Sequence, residues 1–288
     1  MNSPDPVVRN LTFSSDRDVA RHWHGGRRSV TSYFDGLSLF FPAGERFFMA
    51  SVRAHAKDVT DVRLARQVRA FCGQEAVHGR EHRRYNARLR AEGYPTAEME
   101  ARVERLLAGV TRVTTPRMRL AATCALEHFT ALMAHMLLGD PRVLEGAHPA
   151  MAALWRWHAA EENEHKSVAF DVYRAAGGFY LERTAVMAAA SLVFWAKVLD
   201  HQVRFMHEDG TLFSVSEWRD LARFLLVEPG AMRGVMRHYF AYYRPGFHPE
   251  DIDATDLLRA WKASLDGMES PYGPEGTEPD EFAISPAS

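Results

Sequence analysis

The stretch that decides the fold is "WHAAEENEHKSVAFDVY", residues 157–173, in which five ionisable side chains occupy eight consecutive positions. Successive residues of an α-helix turn by about 100°, so His158, Glu162 and His165 share one face of a predicted helix. Apolar residues surround them, and buried charges are costly unless they are paired or bound to a cation. The stretch therefore needs a partner that balances its charges.

A second stretch, "QEAVHGREH" at residues 74–82, repeats this arrangement. Glu75, His78 and His82 lie on one face of a predicted helix, and Glu75 precedes His78 by three residues. One Glu-x-x-His pair in a chain rich in Arg, Glu and His is a weak signal. Two of them predict that both helices face the same site.

Two other predicted helices carry a single glutamate in an apolar setting. Glu45 lies in "LSLFFPAGERFFMASV" (37–52) and Glu127 lies in "MRLAATCALEHFTALMAHMLL" (118–138). Solvated helix faces with ion pairs are the alternative interpretation, but these two faces are too apolar for a protein surface. Both carboxylates are therefore predicted to face the core of a helical bundle.

The order Glu, Glu-x-x-His, Glu, Glu-x-x-His is typical of di-iron carboxylate bundles. Glu45 precedes Glu75 by thirty residues and Glu127 precedes Glu162 by thirty-five, which lets each helical hairpin return to the same height. The pattern predicts a two-metal centre, with Glu75 and Glu162 as bridging ligands. The predicted ligands are Glu45, Glu75, His78, Glu127, His158, Glu162 and His165.

The neighbouring polar side chains are assigned supporting roles. His158 is interpreted as a ligand, with hydrogen bonding to a ligand as the alternative. His82 is interpreted as a hydrogen-bond partner of a ligand, with metal binding as the alternative. Glu161 lies at the edge of the metal-facing surface and is predicted to pair with a ligand, with metal binding as the alternative, whereas Glu164 is predicted to face outward. An apolar substrate pocket is predicted from Phe41, Phe48, Met49, Phe71 and Phe129.

Helical periodicity dominates the chain and strand signals are almost absent, so the predicted fold class is all-α. Helices are predicted at 36–57, 61–91, 97–110, 115–138, 148–175, 180–208, 216–226, 229–243 and about 251–266. The predicted organisation is an N-terminal arm (1–20), a di-metal helical bundle (21–178), a C-terminal helical extension packed on it (179–266) and a flexible tail (267–288).

Composition limits the classes of function. The 288 residues carry a net charge of −2 and scattered basic residues, which does not favour nucleic-acid binding. The longest apolar run, residues 185–196, is too short for a membrane span of about 20 residues. The first twenty residues lack a secretory signal, and the chain has only two cysteines. We therefore expect a cytoplasmic protein with reduced thiols and no transmembrane segment.

The chain also resembles a bacterial family catalogued as predicted metal-dependent hydrolases, a ferritin-like group. The resemblance covers about 8–265 and is carried by "RHWHGG" (21–26), "LSLFFPAGERFF" (37–48), "FCGQEAVHGREHRRYN" (71–86) and the stretch at 157–173. It implies a ferritin-like four-helix bundle with additional C-terminal helices. The ligand pattern is also similar to that of di-iron arylamine N-oxygenases, which implies that all seven predicted ligands bind metal.

Some relatives resemble non-haem di-iron monooxygenases of natural-product pathways, including terpenoid ones. We therefore expect two iron ions, O₂ as co-substrate and an external electron donor, either a protein partner or a chemical reductant. The expected reaction is hydroxylation of an unactivated C–H bond in a hydrophobic substrate, such as a terpenoid or a carrier- or CoA-linked acid. A dinuclear metal-dependent hydrolase and a non-catalytic iron-binding protein are the alternatives, and the helices after 180 could form a homodimer.

Overall fold

The computed structural model of the protein describes residues 5–13 and 19–266. The predicted tail at 267–288 lies outside the described residues, as do 1–4 and 14–18 of the predicted arm. The helices, numbered in chain order, are α1 (Arg28–Ser38), α2 (Phe41–Arg53), α3 (Val62–Ala91), α4 (Thr96–Val113), α5 (Pro116–Gly139), α6 (Pro149–His165), α7 (Val168–Ala175), α8 (Tyr180–Glu208), α9 (Val215–Leu226), α10 (Arg233–Ala241) and α11 (Thr255–Asp266).

The described chain is almost entirely helical, which confirms the all-α prediction. The predicted helix at 36–57 is wrong at its start, because α1 ends at Ser38 and α2 begins at Phe41. Pro42 lies in the first turn of α2 and has no backbone N–H, so a continuous helix would leave a carbonyl unpaired there.

The predicted helix at 148–175 is also divided, since α6 ends at His165 and α7 begins at Val168. The break turns the buried Lys166 toward the C-terminal segment, where its ammonium group donates a hydrogen bond to the Ile252 carbonyl.

Four helical segments form the bundle that surrounds the site. α2 packs against α3, α5 packs against α6 and α7, and the two pairs meet through α2 with α5 and α3 with α6 and α7. The remaining helices cover this bundle: α4 lies on α2 and α3, α8 lies on α1 and α5, and α10 and α11 contact α5. A second layer of helices therefore packs on the bundle, and α11 also contacts α6.

α5 is the one helix in the described part of the chain that is long and apolar enough to cross a membrane. Within its most apolar window, 67% of the residues are buried inside the protein. α5 also contacts six other helices, so its apolar surface is used for packing in the core.

A buried carboxyl on α1 has an unusual environment. Asp35 Oδ1 accepts hydrogen bonds from the Tyr85 hydroxyl at 2.5 Å and from Trp23 Nε1 at 3.0 Å, while Oδ2 has no hydrogen-bond partner. Burial raises the pKa of Asp35 to about 7, although the two donors act in the opposite direction. The unfolded chain releases this proton first, so stability is expected to fall as pH rises from about 4 to about 7.

The substitution Asp35→Asn is expected to remove this pH dependence. The amide oxygen can accept both hydrogen bonds, and no charge is buried at high pH. Each pKa unit corresponds to about 1.4 kcal/mol, and the unpaired amide N–H costs part of the gain, so we expect stabilisation by about 2 kcal/mol at pH 8. Urea unfolding between pH 4 and 8 measures the effect; parallel wild-type and variant curves would show that Asp35 does not titrate here.

Candidate metal centre

The seven predicted ligands come together inside the bundle. α2, α3, α5 and α6 each supply one carboxylate, and the histidines come from α3 and α6. All seven side chains are at most 3% exposed. Their donor atoms form three groups in which all atoms lie within 4.8 Å of one another, namely Glu45 with His78 and His158, Glu75 with His78 and Glu162, and Glu75 with Glu127 and His165.

Glu162 lies at the centre of the three histidines. Its Oε1 is 3.0 Å from His158 Nε2, 3.5 Å from His78 Nδ1 and 3.6 Å from His165 Nε2. On the other side, His165 Nε2 is 3.2 Å from Glu75 Oε1. Glu162 and Glu75 therefore lie between the two ends of the cluster, which is the place of a bridging carboxylate.

Most of the nitrogen and oxygen atoms that face the cluster form no hydrogen bond within the described chain. Both carboxylate oxygens of Glu45, Glu75 and Glu127 are buried without a hydrogen-bond partner. The same is true of three ring nitrogens, His78 Nδ1, His158 Nε2 and His165 Nε2. Leaving so many polar atoms unpaired is expensive, and bound cations would satisfy them.

A glycine makes room for one of these carboxylates. A Cβ atom added at Gly79 of α3 would lie 2.8 Å from Glu45 Oε2, too close for a non-bonded contact. The donor set of imidazole nitrogens and carboxylate oxygens suits iron, manganese or zinc. The residues present therefore fit a pair of divalent metal ions.

Without metal, the carboxylates and imidazoles compete for protons. Burial raises the pKa of Glu45 and of Glu127 well above the usual range, and nearby carboxylates add to the effect. Burial opposes ionisation of Glu162, but His165 and His158 hold its pKa well below the usual range. Metal binding must displace the protons of protonated ligands, so metal affinity is expected to fall at low pH.

Two of the histidines are oriented by a hydrogen bond at the ring nitrogen that does not face the cluster. His78 Nε2 is hydrogen-bonded to Glu161 Oε2 at 3.0 Å, and His165 Nδ1 to Gln74 Oε1 at 2.9 Å. An imidazole fixed in this way presents its remaining nitrogen, as a lone pair, to the metal position. The predicted pairing role of Glu161 matches this position, although its side chain is fully buried.

The expectation that Glu164 faces outward is wrong. Glu164 is 4% exposed because the N-terminal arm and α11 cover this part of α6. Arg9 donates two hydrogen bonds to its carboxylate, each 2.8 Å long, and Lys262 Nζ lies 2.9 Å away. Arg9 also donates to Glu161 at 3.0 Å, and Gln74 Nε2 donates to Glu164 at 3.0 Å. Arg9 therefore connects the partners of His78 and His165.

This geometry can be compared with known proteins. The sequence profile of the family described as "Predicted metal-dependent hydrolase" matches residues 7–253. The chain belongs to this family. No curated protein and no solved structure is significantly similar to the chain. Membership in a metal-dependent hydrolase family agrees with the buried histidine and glutamate cluster, which lies entirely within the matched residues.

In this member of the predicted metal-dependent hydrolase family, the third histidine is oriented by a longer series of hydrogen bonds. His158 Nδ1 is 2.7 Å from His82 Nε2, and His82 Nδ1 is 2.9 Å from Ser38 Oγ. Ser38 Oγ donates to Asn86 Oδ1 at 2.7 Å, and Asn86 Nδ2 donates to Glu100 Oε1 at 2.9 Å. This series of hydrogen bonds runs from the partly exposed Glu100 on α4 to the buried centre.

Glu100 determines which atom donates in each hydrogen bond of this series. A carboxylate can only accept, so Asn86 must present its amide group to Glu100 and its oxygen to Ser38. Ser38 then accepts from His82 Nδ1–H, and His82 Nε2 accepts from His158 Nδ1–H. Both nitrogens of His82 are thus used, which favours its role as the hydrogen-bond partner of His158 and leaves His158 Nε2 free to bind metal.

The substitution Asn86→Asp is expected to lower metal affinity about tenfold, because the new carboxylate at position 86 would face the carboxylate of Glu100 and could not donate to it. Adding Glu100→Gln is expected to restore affinity, since Gln can donate to the new aspartate. Glu100→Gln alone is expected to be nearly neutral because Asn86 can donate to its amide oxygen. Competition with a chelator measures the three affinities; an Asn86→Asp variant that the second substitution does not improve would refute this direction.

Two cavities lie beside the centre. A cavity of ≈ 60 Å³ is bounded partly by His158 and Glu162, and an apolar cavity of ≈ 290 Å³ lies between α2, α4, α5 and α8. Of the residues predicted for a substrate pocket, Phe41 lines both cavities and Phe48 lines the larger one.

The other three predicted pocket residues are packed elsewhere. The ring centroid of Phe71 is 5.0 Å from that of His165, Phe129 stacks on Phe194 at 5.2 Å, and Met49 packs against the core cluster that contains Phe48.

Proposed function

We propose that the protein is a non-haem di-iron monooxygenase that hydroxylates an unactivated C–H bond of a hydrophobic substrate. The observation that carries the proposal is the cluster of unpaired nitrogen and oxygen donors on seven buried residues, which adjoins the smaller apolar cavity. The arrangement of two glutamates and two Glu-x-x-His pairs on four helical segments also supports a ferritin-like bundle.

The described residues divide between two metal positions. Glu45, His78 and His158 would hold one ion, Glu127 and His165 the other, and Glu75 and Glu162 would be shared. Two bound iron ions would supply the reduction of O₂ and the oxidation of the substrate, with electrons from an external donor. Gln74, Glu161 and His82 would keep the three imidazoles in one tautomer throughout.

The residues around the smaller cavity would control access to the centre. Phe41 packs against the imidazoles of His82 and His158, with ring centroids 4.4 Å and 4.3 Å apart. Phe41 and Met133 line both cavities, so they would exclude water while a substrate carbon approaches from the apolar side. A dry, apolar surrounding is what an oxidising centre requires to protect its reaction from water.

A dinuclear metal-dependent hydrolase is the second candidate, and the description of the family favours it. The same ligands could hold zinc or manganese, and a bound water would then be the nucleophile. The apolar lining beside His158 and Glu162 is less suited to a polar ester or phosphate than to an aliphatic substrate. A cytoplasmic location fits either reaction and is part of the proposal.

The test is anaerobic loading with Fe(II), followed by mixing with O₂ and measurement of oxygen uptake. We expect uptake in proportion to bound iron, sustained by a chemical reductant and increased by an apolar substrate. The Glu162→Gln variant is the matched control. The proposal fails if uptake does not exceed that control. Hydrolysis of an ester or phosphodiester by the zinc- or manganese-loaded protein, without oxygen uptake, would instead establish the second candidate.

A further inference from the structure

The larger cavity is apolar along its whole length. On α8 its lining extends from Val186 to Lys197, which covers about 16 Å at 1.5 Å per residue. Residues such as Leu107 of α4 and Leu126 of α5 complete the walls. Among the described residues, Lys197 is the one charged side chain that lines it. Its volume, ≈ 290 Å³, is close to the lower end of small-molecule sites.

The end of the cavity at Lys197 carries excess positive charge. Lys197 Nζ lies 3.5 Å from Asp200, which Arg102 and Arg204 also contact at 3.7 Å and 3.1 Å. Arg102 also lies 3.8 Å from Glu98, so three cations face two carboxylates, which leaves a local net charge of +1 by this count. The three cationic side chains are one quarter to one third exposed, so a ligand anion could reach them.

The cavity is also continuous with the wall of the candidate metal centre. Leu37, Phe41, Thr130 and Met133 line both this cavity and the smaller one bounded by His158 and Glu162. An apolar chain in the larger cavity would thus contact the same side chains that bound the smaller cavity beside His158 and Glu162. Movement of Phe41 or Met133 would join the two spaces.

We propose that the larger cavity binds an elongated aliphatic molecule with an anionic head group. The head group lies against Lys197, and the apolar chain extends between α4, α5 and α8 toward Val186. The length of the lining corresponds to an extended chain of about twelve carbons. Its position as the substrate of the metal centre rests on the proposed function, whereas binding in the cavity does not.

The test measures binding to the manganese-loaded protein by calorimetry, below the micelle concentration of each ligand. Dodecanoate and dodecyl phosphate are compared with dodecanol and dodecyltrimethylammonium, which have the same chain and a neutral or cationic head. We expect both anions to bind about tenfold more tightly than the alcohol and the cation most weakly. Dodecanoate and dodecyl phosphate separate a carboxylate head from a phosphate head.

Two variants locate the ligand. Lys197→Met is expected to abolish the preference for anions, and Lys57→Met is the control because Lys57 is exposed and does not line the cavity. Ala190→Phe places a large ring in the cavity and is expected to weaken binding of all four ligands. Circular dichroism and metal content confirm that each variant is folded. Equal binding of dodecanoate and dodecanol, or unchanged binding by Ala190→Phe, overturns the proposal.

The two proposals fail in different ways. Preferential binding of dodecanoate without iron-dependent oxygen uptake would support the cavity ligand and contradict the oxygenase. Oxygen uptake by a protein that does not bind the aliphatic anions would support the oxygenase and contradict the cavity ligand.

Discussion

The Glu162→Gln protein is expected to lose both metal ions. Glu162 Oε1 lies 3.0–3.6 Å from the three imidazoles predicted to bind metal, so in the proposed centre both metal positions would share it, as they would Glu75. Glutamine removes the negative charge and replaces one oxygen with an NH₂ group, which is not a ligand. Metal content after manganese loading and desalting should fall from about two ions per chain to well below one.

A variant at the edge of the cluster provides the contrast. Glu45→Gln removes a ligand of one position only, so we expect it to retain about one ion per chain. Glu104→Gln is a surface control, because that carboxylate makes an exposed ion pair with Arg46. Manganese should raise the melting temperature of the wild type and the control but not of Glu162→Gln. Equal metal content in Glu45→Gln and Glu162→Gln would show that Glu162 is not shared.

Arg9→Gln is expected to destabilise the protein by about 3 kcal/mol and to lower metal affinity about tenfold. The substitution leaves the buried Glu161 without its cation, and Glu164 keeps only Lys262. Glu161, which orients His78, and Glu164, which holds the Gln74 amide that orients His165, then lose their fixed positions. Denaturant unfolding and chelator competition measure the two effects.

The pH dependence of this loss has a defined sign. Burial alone would raise the pKa of Glu164, but hydrogen bonds from Arg9 and Lys262 hold it below the usual range. The stabilisation is therefore present at neutral pH and disappears as pH falls through the lowered pKa. Arg66→Gln is the control, because Arg66 lies near Asp5 of the same arm in an exposed pair. An equal loss in both variants would mean that the arm, and not the Arg9 contact, is responsible.

The core of the candidate site could be predicted from sequence because two simple rules apply there. Helical periodicity places Glu162 and His165 on one face, and the cost of burying charge requires a partner for lone glutamates such as Glu45 and Glu127. The structure brings the seven predicted ligands together, and their binding of metal stays a prediction. The number of residues between the two glutamates of each hairpin is sufficient to predict this meeting, because the position of a residue along a helix axis depends only on residue count.

The supporting residues could not be predicted in the same way. Arg9 and Lys262 contact Glu164 from distant parts of the chain, and periodicity around α6 alone suggested an outward position. Ser38 and Asn86 are ordinary polar residues in sequence, and their connection to His82 exists only after α1 packs on α3. The missed break between α1 and α2 had the same origin, because it follows from packing and from Pro42 in the first turn of α2.

The meeting of Arg9 and Lys262 at Glu164 has a consequence for biosynthesis. A chain that emerges from the ribosome presents its arm and the four ligand-bearing helices long before α11 is made. Until α11 arrives, Glu164 lacks one of its two cations, and Gln74 and His165 depend on an incompletely held carboxylate. A prematurely terminated product would thus contain every predicted ligand, and we expect it to hold metal weakly, with firm retention only in chains that have been translated at least through α11.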